Sequence, residues 1–168
     1  MLASILEKIT PYLPWRVIEG RDGTAYLRRW KLLGPLWLHK FERSDADREL
    51  HNHPWPWAIS LVLVNGYLEE RLEFVHAPVA PQSYPWSAMI WRKDRLPGRI
   101  NVIKNGTYHR VVLHQGPAWT LFLHGPRTRS WGFFNMATGE HTQFDAYLAE
   151  KGLRVSSNEF QPPLKTLW

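Results

Sequence analysis

Residues 49–66 read ELHNHPWPWAISLVLVNG and combine three signals of β-structure. In the tripeptide His51-Asn52-His53 the two histidines are separated by one residue, so on a strand both side chains would lie on the same face. The branched and aliphatic run Ile59–Val64 is typical of a strand. Asn65-Gly66 follows it and is a strong hairpin signal, because both residues tolerate positive φ. This stretch therefore predicts a strand that ends in a tight turn.

Short runs of branched, aromatic and aliphatic residues continue on both sides of that stretch. They are Leu36–Phe41, Tyr67–Phe74, Ser87–Trp91, Ile100–Ile103, Tyr108–Leu113, Trp119–Leu123 and Ser130–Phe134. Pairs rich in Gly, Pro and Asn separate the runs, and a second Asn-Gly pair stands at 105–106. Many short strands between such turns predict an all-β fold, either a sandwich or a closed barrel.

Helical patterns occur only near the two ends. Apolar residues recur at helical spacing from Leu2 to Leu13, where Pro11 and Pro14 end the pattern, and this predicts a short amphipathic helix on the outside of the β-structure. A second helix is predicted over Gln143–Lys151, with Gly152 as its stop. We expect one domain over residues 1–168: an N-terminal helix (1–14), a barrel core (36–134), and a C-terminal helix and tail (143–168). The tail after Ser156 is expected to be poorly ordered or draped on the surface.

Composition limits the kinds of site and partner. The 168 residues carry a net charge of +6 and no cysteine, which excludes a disulfide framework and a thiolate metal site. The excess charge is local: between residues 92 and 129 only Asp94 opposes Arg92, Lys93, Arg95, Arg99, Lys104, Arg110, Arg127 and Arg129. A solvated face, an anionic small substrate and nucleic acid all remain open as explanations. Nucleic acid is the least favoured of the three.

The N-terminus and the hydropathy pattern bear on location. Residues 1–10 carry Glu7 and Lys8 and lack the apolar run of a secretory signal. No stretch approaches the roughly 18 apolar residues of a membrane span. We therefore expect a soluble, cytoplasmic protein with no membrane partner.

Three of the eight histidines have spacing that suits a metal site. Two imidazoles side by side on a strand, His51 and His53, form a natural half of such a site. His109 follows the second Asn-Gly pair and opens the predicted strand Tyr108–Leu113, so a hairpin there could aim it into the same cavity. The alternative is that these histidines are structural.

The chain resembles the cupin superfamily over roughly Leu36 to Phe134. The first cupin motif runs Gly, five residues, His-x-His, three or four residues, Glu, six residues, Gly; here His51-Asn52-His53 fills the His-x-His, and Gly66 stands near the closing glycine. The second motif runs Gly, five residues, Pro-x-Gly, two residues, His, three residues, Asn; here Gly98, Gly106 and His109 are in register. The resemblance implies a double-stranded β-helix, the jelly-roll cupin barrel, with His51, His53 and His109 as metal ligands and a homodimer as the default assembly.

A closer resemblance is to short cupin-like proteins of bacteria and phages. They share a His-x-His-Pro-Trp segment, here residues 51–55, and stretches similar to Trp119–Leu121, Gly125-Pro126 and Trp131–Phe133. The glutamate of the first motif is missing, because residues 57–59 around its position read Trp-Ala-Ile. The usual set of three histidines and one glutamate thus becomes three histidines, as in the thiol dioxygenases. Glu69 or Glu70 remains an alternative fourth ligand.

These ligands lead to a predicted chemistry. Three neutral imidazoles leave the charge of a divalent ion intact and up to three coordination positions open, as nonhaem iron oxygenases require for substrate and dioxygen. We therefore expect a metal-dependent oxidoreductase, similar to an Fe(II) dioxygenase, that acts on a small polar or anionic molecule. Fe(II) is the favoured ion, while Zn, Ni, Cu and Mn remain open. The alternatives are a non-catalytic cupin that binds a small ligand, and a metal-assisted isomerase, epimerase or lyase.

Further residues are predicted to complete the pocket. The predicted substrate-binding residues are Trp55, Trp57, Arg127, Arg129 and Trp131. The tryptophans would wall the pocket, and one of the arginines would bind a substrate anion through paired hydrogen bonds. His39 is predicted to orient a metal ligand by a hydrogen bond. His114 has the opposite strand parity from His109 and is expected to face away.

Overall fold

Thirteen strands and two α-helices make up most of the described chain. The computed structural model describes residues 1–20, 22–44, 49–75 and 87–158. The elements are α1 Leu2–Ile9, a 3-10 helix Thr10–Tyr12, β1 Trp15–Glu19, β2 Ala25–Leu33, β3 Leu36–Phe41, β4 Leu50–His51, β5 Trp57–Val64, β6 Tyr67–Val75, β7 Ser87–Arg95, β8 Ile100–Lys104, β9 His109–Leu113, β10 Ala118–His124, β11 Gly132–Phe134, β12 His141–Gln143, α2 Phe144–Lys151 and β13 Arg154–Ser157. His76 and the tail beyond residue 158 lie outside the described residues.

The strands form two antiparallel sheets. Sheet I has seven strands in the order β13-β1-β2-β3-β10-β5-β8, and sheet II has six in the order β12-β11-β4-β9-β6-β7. From β3 to β6 the chain alternates between the sheets, and β10 returns to lie between β3 and β5 while β9 returns to lie between β4 and β6. Two sheets linked in this way are consistent with a jelly-roll barrel. The predicted all-β fold with a short N-terminal helix is confirmed.

The sheets extend beyond the predicted barrel core of residues 36–134. β1 and β2 precede it, and β12 and β13 follow it. These four strands carry many polar side chains, such as Arg28, Arg29 and Lys31 in β2, so they lack the apolar runs that identified the other strands. β2 nevertheless pairs along its length with β3, and β13 pairs with β1.

Each helix covers an aromatic surface of a sheet. Leu6 of α1 packs with Trp30, Leu38 and Trp119 on one face of sheet I, where the two indoles stack 5.4 Å apart. α2 places Tyr147 on Phe133 of β11, with the ring centroids 3.6 Å apart. As predicted, α2 ends at Gly152, whose φ of 62° forms the left-handed cap. None of the helices in the described part of the chain has the length and apolar character to cross a membrane.

The core lies between the sheets. Val62 and Ala118 of sheet I pack against Tyr67 and Val111 of sheet II. A neighbouring cluster on the same inner face of sheet I contains Trp37, Ala58, Ile103 and Phe122, with Trp55 packed against it. This second cluster forms the floor of the site described below.

Gly132 in β11 provides a test of the packing around the site. A Cβ at this position would lie 2.1 Å from the carbonyl oxygen of Thr142 on β12. Because that neighbour is backbone, Gly132→Ala should force the strands apart and lower the free energy of unfolding by about 1–3 kcal/mol or more. The measurement is chemical denaturation. Ser130→Ala, at an exposed position, is the control, and equal stability of the two variants would contradict the packing described here.

Candidate metal centre

Strand pairing in sheet II brings the three predicted ligands together. His51 at the end of β4 lies directly opposite His109 at the start of β9, so both side chains share one face. His53 follows two residues after His51, beyond the end of the strand. The ring centroids are 4.7 Å apart for His51 and His109, 5.1 Å for His51 and His53, and 5.0 Å for His53 and His109. One ligand atom from each residue lies within 4.8 Å of the others.

The spacing of the nitrogens suits a shared ion. The Nε2 atoms of His53 and His109 are 2.8 Å apart. Two imidazole nitrogens about 2.1 Å from one ion, at an angle of about 90–110°, would be roughly 3.0–3.4 Å apart. The two atoms thus need to move only slightly to bind one ion, and the cluster could hold a divalent transition metal.

Hydrogen bonds to β11 fix the segment that carries His53. Asn52 is buried, and its backbone N–H donates to the carbonyl of Gly132 at 3.1 Å while its Oδ1 accepts from the N–H of Gly132 at 2.9 Å. Arg129 Nε donates to the carbonyl of His53 at 3.0 Å. The next three residues, 54–56, form bends rather than a strand, as their two prolines predict.

Aromatic rings surround His53. Trp55 and Trp131 both lie nearly parallel to its imidazole, with centroids 5.2 and 6.3 Å away, and Phe122 lies 6.3 Å away. Burial among these rings lowers the pKa of His53 well below its usual value, and electrostatic repulsion of its protonated form by the neighbouring rings of His109 and His51 lowers it further. The imidazole is therefore neutral near pH 7, which is the form that binds a metal.

Glu69 of β6 lies directly behind His109. Its carboxylate is fully buried, and Oε1 accepts a hydrogen bond from His109 Nδ1 at 2.8 Å. Oε1 also accepts from Arg71 at 3.1 Å and from Asn101 at 3.0 Å, and Oε2 accepts from Arg95 at 2.6 and 2.8 Å. Burial by itself would raise the pKa of Glu69, but the hydrogen bond from His109 and the electrostatic attraction of His109 and Arg71 outweigh it and hold the pKa far below its usual value.

The contact with Glu69 determines how His109 can bind. Nδ1 carries the proton that is donated to the carboxylate, so the lone pair of Nε2 is left for an ion. Glu69 is thus placed as the partner of a ligand rather than as the fourth ligand that the sequence left open. Glu70 faces the other side of β6, toward Arg92 and Arg110. In the described ranges, the cluster able to hold a metal contains the three histidines alone.

The other predicted site residues lie at different distances from the cluster. Trp55 and Trp131 lie beside it, whereas Trp57 projects from the opposite face of β5, is 41% exposed and packs against Gly125. Arg127 is exposed, and Arg129 contacts the His53 backbone. His114 lies after β9 and contacts Asp94 at 3.0 Å.

His39 is buried on β3, one aromatic ring away from the cluster. Its Nε2 accepts a hydrogen bond from Arg29 Nε at 3.2 Å, and its ring stacks on Phe122 with a centroid distance of 4.6 Å. Burial lowers the pKa of His39 well below its usual value, and the charge of Arg29 adds to the effect. The hydrogen bond seen here thus joins His39 to Arg29, while the partner of a predicted metal ligand is Glu69.

Comparison with known proteins adds fold likenesses at low identity. No family model matches the chain, and no curated protein matches it in sequence. Among solved structures it is similar to hydroxypropylphosphonic acid epoxidase from S. wedmorenis, with 12% identity over 65% of this chain and 55% of that one and a TM-score of 0.44. It is similar to oxalate oxidase in complex with glycolate, with 14% identity over 74% of this chain and 57% of that one and a TM-score of 0.42.

A third similar structure is a sugar phosphate isomerase from a cupin superfamily, from Silicibacter pomeroyi. The identity is 16% over 80% of this chain and 90% of that one, with a TM-score of 0.48. The chain spans about half the length of the epoxidase and the oxidase that it matches. Its structural neighbours therefore include a cupin protein.

Proposed function

We propose that the chain binds one divalent transition metal ion through His51, His53 and His109 and is a metal-dependent oxidoreductase, similar to an Fe(II) dioxygenase, for a small anionic molecule. The observation that carries this proposal is the convergence of three imidazole nitrogens within 4.8 Å, two of them on paired residues of sheet II. Imidazole ligands suit iron, zinc, nickel and copper, whereas magnesium and calcium prefer oxygen.

The number of ligands supports a catalytic site over a structural one. Structural zinc sites are usually closed by four protein ligands, whereas catalytic sites keep positions open. The part of the chain that the structure describes supplies three. When bound, the ion would supply Lewis acidity and open positions at which substrate and dioxygen could meet.

The surrounding side chains have separate parts in this proposal. Trp55, Trp131 and Phe122 pack around the imidazole of His53 and shield part of it from solvent. Glu69 holds the proton of His109 on Nδ1 and its ring in one orientation. Glu69 also places one negative charge next to three neutral ligands, and thereby partly balances the charge of an ion.

Two measurements test the proposed function. In the first, the protein is purified without added metal and then loaded with Fe(II) under anaerobic conditions. Elemental analysis should then find about one ion per chain. Dioxygen uptake is then followed with a panel of small carboxylates and phosphates, and uptake with one of them is expected. Binding of metal without uptake would contradict the oxidoreductase assignment in favour of an isomerase, a lyase or a ligand carrier. Absence of metal would contradict the metal site itself.

A further inference from the structure

Three cationic side chains surround one buried indole on the inner face of sheet I. Arg16 of β1, Arg29 of β2 and Lys31 of β2 lie 6.0, 4.8 and 5.9 Å from the ring centroid of Trp37 on β3. The strand register accounts for the arrangement, because Arg16 pairs with Arg29 and Lys31 pairs with Trp37. We call these three side chains and Trp37 the cationic wall.

The cationic wall adjoins the metal centre. Trp37 lies opposite Phe122 in the pairing of β3 with β10 and belongs to the same buried cluster, against which Trp55 packs. Arg29 donates to His39, His39 stacks on Phe122, and Phe122 lies 6.3 Å from His53. One layer of aromatic rings therefore separates Arg29 from the predicted metal ligand His53.

Two buried polar groups on the same face have no hydrogen-bond partner within the described part of the chain. They are Nε1 of Trp37, a residue that is 7% exposed, and Oγ1 of Thr120, a residue that is fully buried. Thr120 lies opposite His39, two pairs along from Trp37 and Phe122 and therefore on the same face of the sheet. A buried donor without a partner destabilises the fold, so such a group calls for a partner from outside the chain, such as an ordered water or a bound molecule. Here both groups can donate to an oxygen atom of a ligand.

We propose that the cationic wall binds the anionic group, a carboxylate or a phosphate, of the molecule whose other end reaches the metal centre. Arginine binds either group with paired hydrogen bonds, lysine adds a point charge, and the indole N–H adds a donor. The inference rests on the proposed function for the identity of that molecule. It places the anion site on sheet I instead of at Arg127 and Arg129, which lie in the connection between β10 and β11.

Anion binding to the metal-free full-length chain tests the cationic wall separately from the ion. The probes are inorganic phosphate and malonate, titrated calorimetrically after chelation. The wild-type chain should bind one of them saturably, and the better probe identifies the class of anion. Arg29→Gln should weaken that binding about tenfold or more, since a hydrogen bond to a charged group contributes at least that factor. Arg127→Gln is the matched control and should bind as the wild type does.

Two variants that should disturb the fold less keep the test valid if Arg29→Gln does not fold. Lys31→Gln changes an exposed side chain, and Trp37→Phe removes only the indole donor while keeping an aromatic ring. Each should weaken the probe without changing the metal content of the loaded protein. Absence of probe binding in the wild type, or equal loss in Arg127→Gln, would overturn the inference. If the chain binds metal but not the probe, the cationic wall is wrong and the proposed function stands. If the chain binds the probe but not metal, the proposed function is wrong and the anion site stands.

Discussion

His53→Ala should lose stoichiometric metal while the two sheets remain folded. The substitution removes one of three protein ligands, and its effect on affinity should exceed the roughly 10- to 100-fold that loss of a ligand's hydrogen-bond partner causes. The fold should survive because His53 lies outside the strands and the core clusters hold the sheets together without it. Metal per chain by elemental analysis, together with a melting curve, measures both effects.

Variants of the other histidines make this experiment specific. His51→Ala should behave as His53→Ala does, because the two residues supply equivalent ligands. His114→Ala should keep a full equivalent of metal, since its ring contacts Asp94 outside the cluster. Full metal content in His53→Ala, or its loss in His114→Ala, would show that the ion binds elsewhere.

Local sequence patterns were sufficient to predict most strands of the core. The run Leu36–Phe41 coincides with β3, and Asn65 adopts a φ of 60° in the turn after β5, as an Asn-Gly pair predicts. Such features depend on neighbours along the chain. The pair of histidines at 51 and 53 was recognisable for the same reason, since their spacing alone places both on one face.

Features that depend on pairing between distant strands could not be predicted from these patterns. β5 shows why: its inner face carries Ala58, Ser60 and Val62, while the larger Trp57 and Ile59 lie on the outer face. Apolar character therefore gave no indication of which face points inward. The cationic wall was not predictable either, because β1 and β2 have too many charged residues to resemble core strands.

Only part of the role of Glu69 could be predicted from the sequence. Strand alternation places it on the same face of β6 as Tyr67 and Arg71, and this follows from the predicted run Tyr67–Phe74. Its contact with His109 requires in addition that β6 pair with β9, and that pairing joins segments about forty residues apart. The sequence could thus suggest Glu69 as a metal ligand but could not show that it is the hydrogen-bond partner of the ligand His109.

Glu69→Gln should destabilise the protein strongly and weaken its binding of metal. The substitution keeps the shape of the side chain but removes the negative charge that Arg71 and Arg95 contact in the interior. Removal of one partner from a buried ion pair typically lowers the free energy of unfolding by about 3–5 kcal/mol. The amide also holds the proton on His109 Nδ1 less firmly, so metal affinity should fall roughly 10- to 100-fold. Urea denaturation and a competition titration with a metal chelator measure the two effects.

Glu70→Gln is the matched control, because it changes the same group one residue away on the opposite face of β6. Glu70 contacts Arg92 and Arg110, whose side chains are 64% and 27% exposed, so water can solvate both arginines when they lose their partner. Glu70 itself is buried, but both of its arginine partners reach solvent, and this variant should therefore be less destabilised than Glu69→Gln, whose partner Arg95 is only 9% exposed. Its metal affinity should match that of the wild type, since Glu70 does not contact His109. If both variants lose stability equally and neither loses metal affinity, Glu69 does not position His109 for the ion.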